Sequence, residues 1–415
     1  MNRSVLPLAA CAALTLAATA AAQKPLKVYV LCGQSNMEGH AKIATFDYLA
    51  DDPASQPLLA KMRDEHGAPR VRDDVWIAYR TGDDGAEVSG PLTAGFGSRR
   101  NPAKSDDKIG PEFTFGIRMG ELHDEPVLLI KCAWGGKSLN TDFRPPSAGP
   151  YEFSDEQLKR FAERHEKDPA KNKDVEQIRR DKVEATGRYY RDTVAYVQQV
   201  LADPGRYCPE YDEKAGFELC GFVWFQGWND MVDRDTYPHR DQPGGYAQYA
   251  SCLDHFIRDM RKDLKAPQLP FVIGVMGVGG PLSDDKKDDV HRNFRAAMAA
   301  PASSKEFAGT VAAVETSPFW DEPLEAISEK MGQVGNFERA LRNKQKGSAN
   351  ADGSLDEAAQ KALVAKYRAE HISEAEESAW QRGASNGGYH YLGCAKTMAG
   401  IGVAFAEAMH QLEQR

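Results

Sequence analysis

No two cysteines in this chain stand in C-x-x-C spacing, although seven are scattered over its 415 residues. A structural zinc site built from paired thiolates is therefore not expected. Basic charge is not in excess either. The 52 Lys and Arg face 61 Asp and Glu, and a net charge of -9 argues against a nucleic-acid-binding surface. After residue 22 no apolar run approaches the length of roughly 18 residues needed to cross a bilayer, so no membrane span is expected. Repeats and long low-complexity tracts are missing as well.

The first 22 residues stand apart. Arg3 is followed by an apolar, Ala-rich run from Val5 to Ala22, and Ala20-Ala21-Ala22 precedes Gln23. This is the pattern of a cleaved signal peptide, which places the mature chain in the periplasm or outside the cell. Leu8-Ala9-Ala10-Cys11 mimics a lipoprotein box, but the apolar run before Cys11 is too short for one. Cleavage leaves Cys32, Cys132, Cys208, Cys220, Cys252 and Cys394. An oxidising compartment permits disulfides, and Cys208 and Cys220 flank a polar loop that one could clip.

Short β-rich or apolar runs at 28–31, 75–79, 126–130, 222–225, 271–278 and 311–314 read as strands. Helical spacing appears between them, at 113–123, 155–203, 246–264 and 394–412. Alternation of this kind predicts an α/β fold whose mostly buried parallel sheet, of about five strands, is covered on both faces. Residues 81–108 are rich in Gly, Asp, Ser and Asn and read as a long surface loop. The charged stretches near 150–190 and 322–384 lack the apolar content for cores of their own. They read as helical insertions in a single domain over residues 23–415.

The first strong strand runs into Leu31-Cys32-Gly33-Gln34-Ser35-Asn36-Met37. Gly33 permits a sharp turn through φ > 0, and Ser35 then stands where a nucleophile sits in an open α/β sheet, beyond the carboxyl end of a strand. A serine that merely caps the next helix is the competing reading. Three later strands also end in unusual residues: Gly135-Gly136, Gln226-Gly227-Trp228-Asn229-Asp230 and Glu315. In a parallel sheet these ends converge on one crevice, and the convergence favours catalysis over capping.

These residue types suit acyl transfer. A serine hydroxyl needs a neighbouring base, and His390, in a Gly-rich turn before the last helix, is the best-placed histidine. The N–H groups near Ser35, those of Gly135 and Gly136, and the Asn229 amide would stabilise an oxyanion. Cys32, beside the serine, reads as a small buried hydrophobe. Gln34, Gln226 and the indoles of Trp134 and Trp228 are candidate substrate contacts. Core packing is the alternative for the indoles, and for Trp320. Asp142 and Arg144 could bind substrate hydroxyls or simply pair with each other.

Taken together, the blocks around Gly33–Met37, Gly135-Gly136, Gly227–Asp230 and His390 resemble the SGNH-type (GDSL-like) hydrolases, in the sialate O-acetylesterase and acetylxylan esterase branch. The resemblance implies a flavodoxin-like three-layer α/β/α sandwich, no metal or cofactor, and serine-dependent removal of O-acetyl groups from a polysaccharide or sialic acid. Members of that family usually carry aspartate in D-x-x-H, whereas Gly387 occupies that position here. The site is then a Ser–His dyad, or its acid comes from elsewhere. Glu315 at a strand end is the first candidate and Asp230 the second, against a loop or capping carboxylate and a brace for the Asn229 loop. The missing aspartate also leaves open a weakened carbohydrate-binding protein on this scaffold. A lipase or thioesterase is a further alternative, although the loops look too polar for an acyl channel.

Overall fold

A computed structural model describes residues 24–82, 85–98, 107–283 and 288–415. The expected signal peptide over residues 1–22 lies outside the described residues.

Seven strands form the main sheet: β1 Leu26–Gly33, β2 Val75–Thr81, β3 Ala86–Pro91, β4 Val127–Ala133, β5 Phe217–Phe225, β6 Phe271–Val275 and β7 Val311–Glu315. Their spatial order is β3-β2-β4-β1-β5-β6-β7, and every pairing is parallel except β2 with β3. The central position of β1 follows from its sequence. L-K-V-Y-V-L-C-G is buried almost throughout, as a parallel strand covered on both faces must be.

Consecutive side chains of β5 show the two covered faces, because successive residues of a strand point to opposite sides. Trp224 packs at 4.3 Å, ring to ring, on Phe256 of the helix Ala247–Asp263. Its neighbour Phe225 packs at 5.3 Å on Phe405 of the last helix, Ala395–Glu413. The fold is a three-layer α/β/α sandwich.

Two details differ from expectation. The stretch read as one long loop over 81–108 contains β3, which hydrogen-bonds antiparallel to β2. Its sequence A-E-V-S-G-P hides it: an edge strand pairs on one side only and so tolerates Gly and Pro. The sheet therefore has seven strands rather than about five. Second, Cys208 and Cys220 are free thiols, with no disulfide between them. The charged stretches form the helices Asp155–Lys167 and Val175–Ala185, then Glu322–Arg342, Glu357–His371 and Glu374–Gly383. No helix among the described residues is long and apolar enough to cross a membrane.

Candidate active site

Register brings the candidate residues together. Gly33 lies beside Ala133 of β4 on one side and Phe225 of β5 on the other, so the segments that leave these strands emerge at one edge of the sheet. Ser35, Trp134, Gly135, Gly136, Trp228, Asn229 and His390 all line a single cavity of about 600 Å³. Gly33 is required for a different reason from the one its sequence suggests. Its φ is not in the left-handed region; instead a Cβ there would lie 2.1 Å from the Phe225 carbonyl oxygen. Gly135 is less tightly constrained: its Cβ would come within 2.8 Å of Glu38 Oε2, the end of a side chain that can move, and 3.6 Å of Ser35 Cβ.

Ser35 opens the short helix Ser35–Glu38 and is 7% exposed. Its hydroxyl has one long contact, from Gln34 Nε2 at 3.5 Å. Gln34 in turn fixes the polarity of the site. Its Oε1 accepts from the backbone N–H groups of Gly227 (3.0 Å) and Asn229 (3.4 Å) and from Gln226 Nε2 (3.2 Å). Because a backbone N–H can only donate, this end of the Gln34 amide must be oxygen. The opposite end, Nε2, then donates to Asn229 Oδ1 at 3.0 Å. That bond leaves Asn229 Nδ2 as the free end of the amide, a donor at the cavity wall. The N–H groups of Gly135 and Gly136 likewise have no acceptor among the described residues.

Asp230 supports this arrangement from beneath. It is fully buried and accepts from the N–H groups of Leu139 (2.8 Å) and Asn140 (3.0 Å), from Gln226 Nε2 (2.6 Å) and from Tyr237 OH (3.1 Å). Burial pushes its pKa up to about 6, with the four donated bonds opposing the rise. Asp230 braces the Gly135 and Asn229 loops against each other; none of its hydrogen bonds goes to a histidine.

His390 is followed by residues in an unusual conformation. Tyr391, Leu392 and Gly393 all have positive φ, at 52°, 58° and 59°. Such backbone persists only where the surroundings over-determine it. Here the fully buried Tyr391 hydroxyl accepts from Gly277 N at 2.7 Å and bonds Thr316 Oγ1 at 2.6 Å, which ties the His390 turn to the ends of β6 and β7. His390 Nδ1 bonds Asn386 Oδ1 at 3.0 Å. The group facing the imidazole is thus a neutral amide four residues upstream, where the resemblance led to an acid. No hydrogen bond joins His390 to Ser35; catalytic contacts of this kind often tighten in the Michaelis complex.

His40 stacks flat on His390, with ring centroids 3.9 Å apart and planes 2° from parallel. Its Nε2 lies 3.8 Å from Glu38 Oε2, and both residues line the cavity. Burial, together with the electrostatic effect of the stacked His40, lowers the His390 pKa to about 3. A base must be neutral to act, so activity should persist well into acid. His40→Ala opens one ring face to water and removes the neighbouring imidazole, so His390 should titrate closer to its ordinary value of 6.5. The acid limb of kcat/KM should therefore move to higher pH in this variant. An unmoved limb would show that the stack does not control the base.

Several expected site residues lie elsewhere. Glu315 ends β7 beside Thr316, whose hydroxyl bonds Tyr391 of the His390 turn. Burial raises the Glu315 pKa and the nearby Arg295 opposes the rise; no hydrogen bond links Glu315 to His390. Asp142 accepts from Ser138 N and Oγ at 2.8 and 3.0 Å. Arg144 is spent on the carbonyls of Asn140, Ala148 and Gly149. Neither lines the cavity, and they do not pair with each other. Gln34 and Gln226 are buried braces rather than cavity-facing contacts. Trp134 touches the cavity but is 2% exposed and donates its Nε1 to the Gly82 carbonyl. Trp228 faces Tyr389 across 6.0 Å, and both line the cavity. Trp320, 9% exposed, packs on Tyr391. Cys32 is fully buried.

The family described as SASA, carbohydrate esterase, sialic acid-specific acetylesterase, matches residues 25–317. The chain belongs to this family. The matched span of this carbohydrate esterase includes Ser35, Gly135, Gly136 and Asn229, while His390 lies beyond it. No curated protein matches the sequence. Among solved structures the esterase is similar to a protein from Arabidopsis thaliana (15% identity, TM-score 0.36, covering 71% of this chain and 86% of that one). It is also similar to NanS (14%, 0.38, 71% and 78%) and to a carbohydrate acetylesterase from Xanthomonas citri (13%, 0.37, 69%). The match spans 49% of that last protein's length.

Proposed function

We propose that this esterase is exported and removes O-acetyl groups from a sugar, sialic acid or an acetylated polysaccharide, through an acetyl-enzyme formed on Ser35. The observation that supports this reading most is the wired polarity of Asn229: a buried chain of amides ends in a free donor beside Ser35 and two free glycine N–H groups. Such preorganised donors match a developing oxyanion; a site that only binds neutral sugar has no need of them.

In this mechanism His390 takes the Ser35 proton as Oγ attacks the acetyl carbonyl. The oxyanion forms against Asn229 Nδ2 and the N–H groups of Gly135 and Gly136. His390 returns the proton to the departing sugar hydroxyl, and water then releases acetate by the same path. Asn386 orients the imidazole without adding charge, as the asparagine of Cys-His-Asn sites does. Trp228 and the 48% exposed Tyr389 offer ring faces for the sugar. Asp142, Arg144 and Glu315 are not part of this reading.

Acetate release decides the matter. The purified mature chain is given O-acetylated sialic acid, acetylated xylan and 4-nitrophenyl acetate. Asn229→Ala should lower kcat by about 10²–10³-fold with KM little changed. A change confined to KM would place the amide in ground-state binding. No acetate from any of the three esters would favour the binding-protein reading.

A further inference from the structure

Far from the cavity, the last helix carries His410 and Glu413 one turn apart, facing His123 just beyond the helix Glu112–Leu122. Among the described residues these three form the one group of His, Cys, Asp or Glu whose ligand atoms all lie within 4.8 Å of one another. Glu413 Oε2 is 3.1 Å from His123 Nε2 and 3.6 Å from His410 Nδ1. Tyr29 OH completes the cluster, 3.1 Å from His123 Nε2 and 2.5 Å from Glu413 Oε1.

Hydrogen bonding alone does not satisfy this cluster. Glu413 Oε2 sits at bonding distance from His123, but His410 Nδ1 is buried and has no hydrogen-bond partner. A lone pair or N–H left dry in this way usually has an explanation. Tetrahedral zinc provides one. With Zn–N and Zn–O bonds of about 2.0–2.2 Å, neighbouring ligands stand about 3.3–3.5 Å apart. The two separations observed, 3.1 and 3.6 Å, bracket that value.

We propose that His123 Nε2, His410 Nδ1 and Glu413 Oε2 form a zinc site, separate from the catalytic cavity, that pins the last helix to the connection before β4. Two imidazoles and a carboxylate suit zinc rather than calcium or magnesium, which prefer all-oxygen shells. The fourth position is open to water or to the Tyr29 hydroxyl. Binding replaces the His123–Glu413 hydrogen bond and releases the shared proton. The adjoining groove, about 530 Å³ and lined by Lys27, Cys220 and Glu413 among others, gives the ion a path in.

Zinc chloride titrated into chelator-stripped mature protein tests the proposal, with binding followed by a competing chromophoric chelator and by thermal melting. One equivalent should bind and raise Tm. His410→Ala and, separately, Glu413→Gln should each weaken binding at least about 100-fold and abolish the Tm rise. The carboxamide of the second variant preserves packing should the first fail to fold. His390→Ala should bind zinc like the unaltered chain. No stoichiometric zinc, binding unchanged in both cluster variants, or binding lost in His390→Ala would each overturn the assignment, the last by moving the metal to the cavity.

Discussion

Ser35→Ala is expected to abolish ester hydrolysis, lowering kcat by about 10⁶-fold, the scale seen when a serine hydrolase loses its nucleophile. The fold should not notice. Ser35 Oγ makes one hydrogen bond, at a marginal 3.5 Å, and alanine is smaller than serine, so nothing clashes and no buried partner is stranded. The donors around it are held by other groups, namely Gln34, Gln226 and Asp230. Some rate above water should therefore survive, since oxyanion stabilisation persists without the nucleophile. Acetate release and circular dichroism measured on the same preparation check both halves. A variant within tenfold of the parent rate would remove Ser35 from the chemistry.

Lys131→Met is expected to cost about 3–5 kcal/mol of stability. Lys131 lies in β4 with its ammonium wholly buried, 2.8 Å from the equally buried Glu112 carboxylate. It also donates to the carbonyls of Glu38 at 2.8 Å and Phe96 at 2.7 Å. Methionine fills the volume but leaves a carboxylate in the interior with only backbone N–H groups to donate to it, that of Gly110 at 2.9 Å and its own. Burial already raises the Glu112 pKa, and the Lys131 charge opposes that rise; without it the rise must grow. The folded variant then holds a proton that the unfolded chain, near 4.5, has released. Stability thus falls as pH rises through this window, and the deficit is largest at neutral pH. Urea unfolding at pH 7 and pH 5 reads both the size and the slope. A loss below about 1 kcal/mol, or one that ignores pH, would show the pair to be dispensable. Because the Glu38 carbonyl closes the Ser35 helix, activity should drop alongside.

Much of this was legible because buried parallel strands leave an unambiguous mark. V-L-L-I-K-C-A and F-V-W-F can hardly be anything but central strands, and once the sheet is parallel its carboxyl ends must share an edge. That logic brought Ser35, Gly135, Gly136 and Asn229 to one cavity. It did not reach the partner of His390: Glu315 ends a strand beside the His390 turn, but which side chain the imidazole bonds is not written in strand ends. Asp142 and Arg144 look like substrate contacts only while their loop is unseen; a loop that buries its own N–H groups and carbonyls needs an acceptor and a donor of this kind for itself. The Asn386–His390 bond and the His40 stack depend on side-chain direction in irregular segments. Even so, Glu38 and His40 stand within five residues of the serine, and a titratable pair so close to a nucleophile was a usable signal.

The amides that run from Gly227 through Gln34 to Asn229 form a one-way circuit. Carboxamides carry no charge for salt to screen, and they do not titrate where histidines do. Turning either one over would set donor against donor in a dry interior, so the circuit has a single stable sense. The orientation of these donors is therefore a mechanical property of the fold, unaffected by the medium around it. Reversible covalent inhibitors meet that orientation. A boronate captured by Ser35 would present its anionic oxygen to the same donors, and an amine placed at that oxygen's position would face opposing N–H groups. Selectivity of this kind is indifferent to the sugar, and sugar-specific contacts can be varied around it without rebuilding the centre.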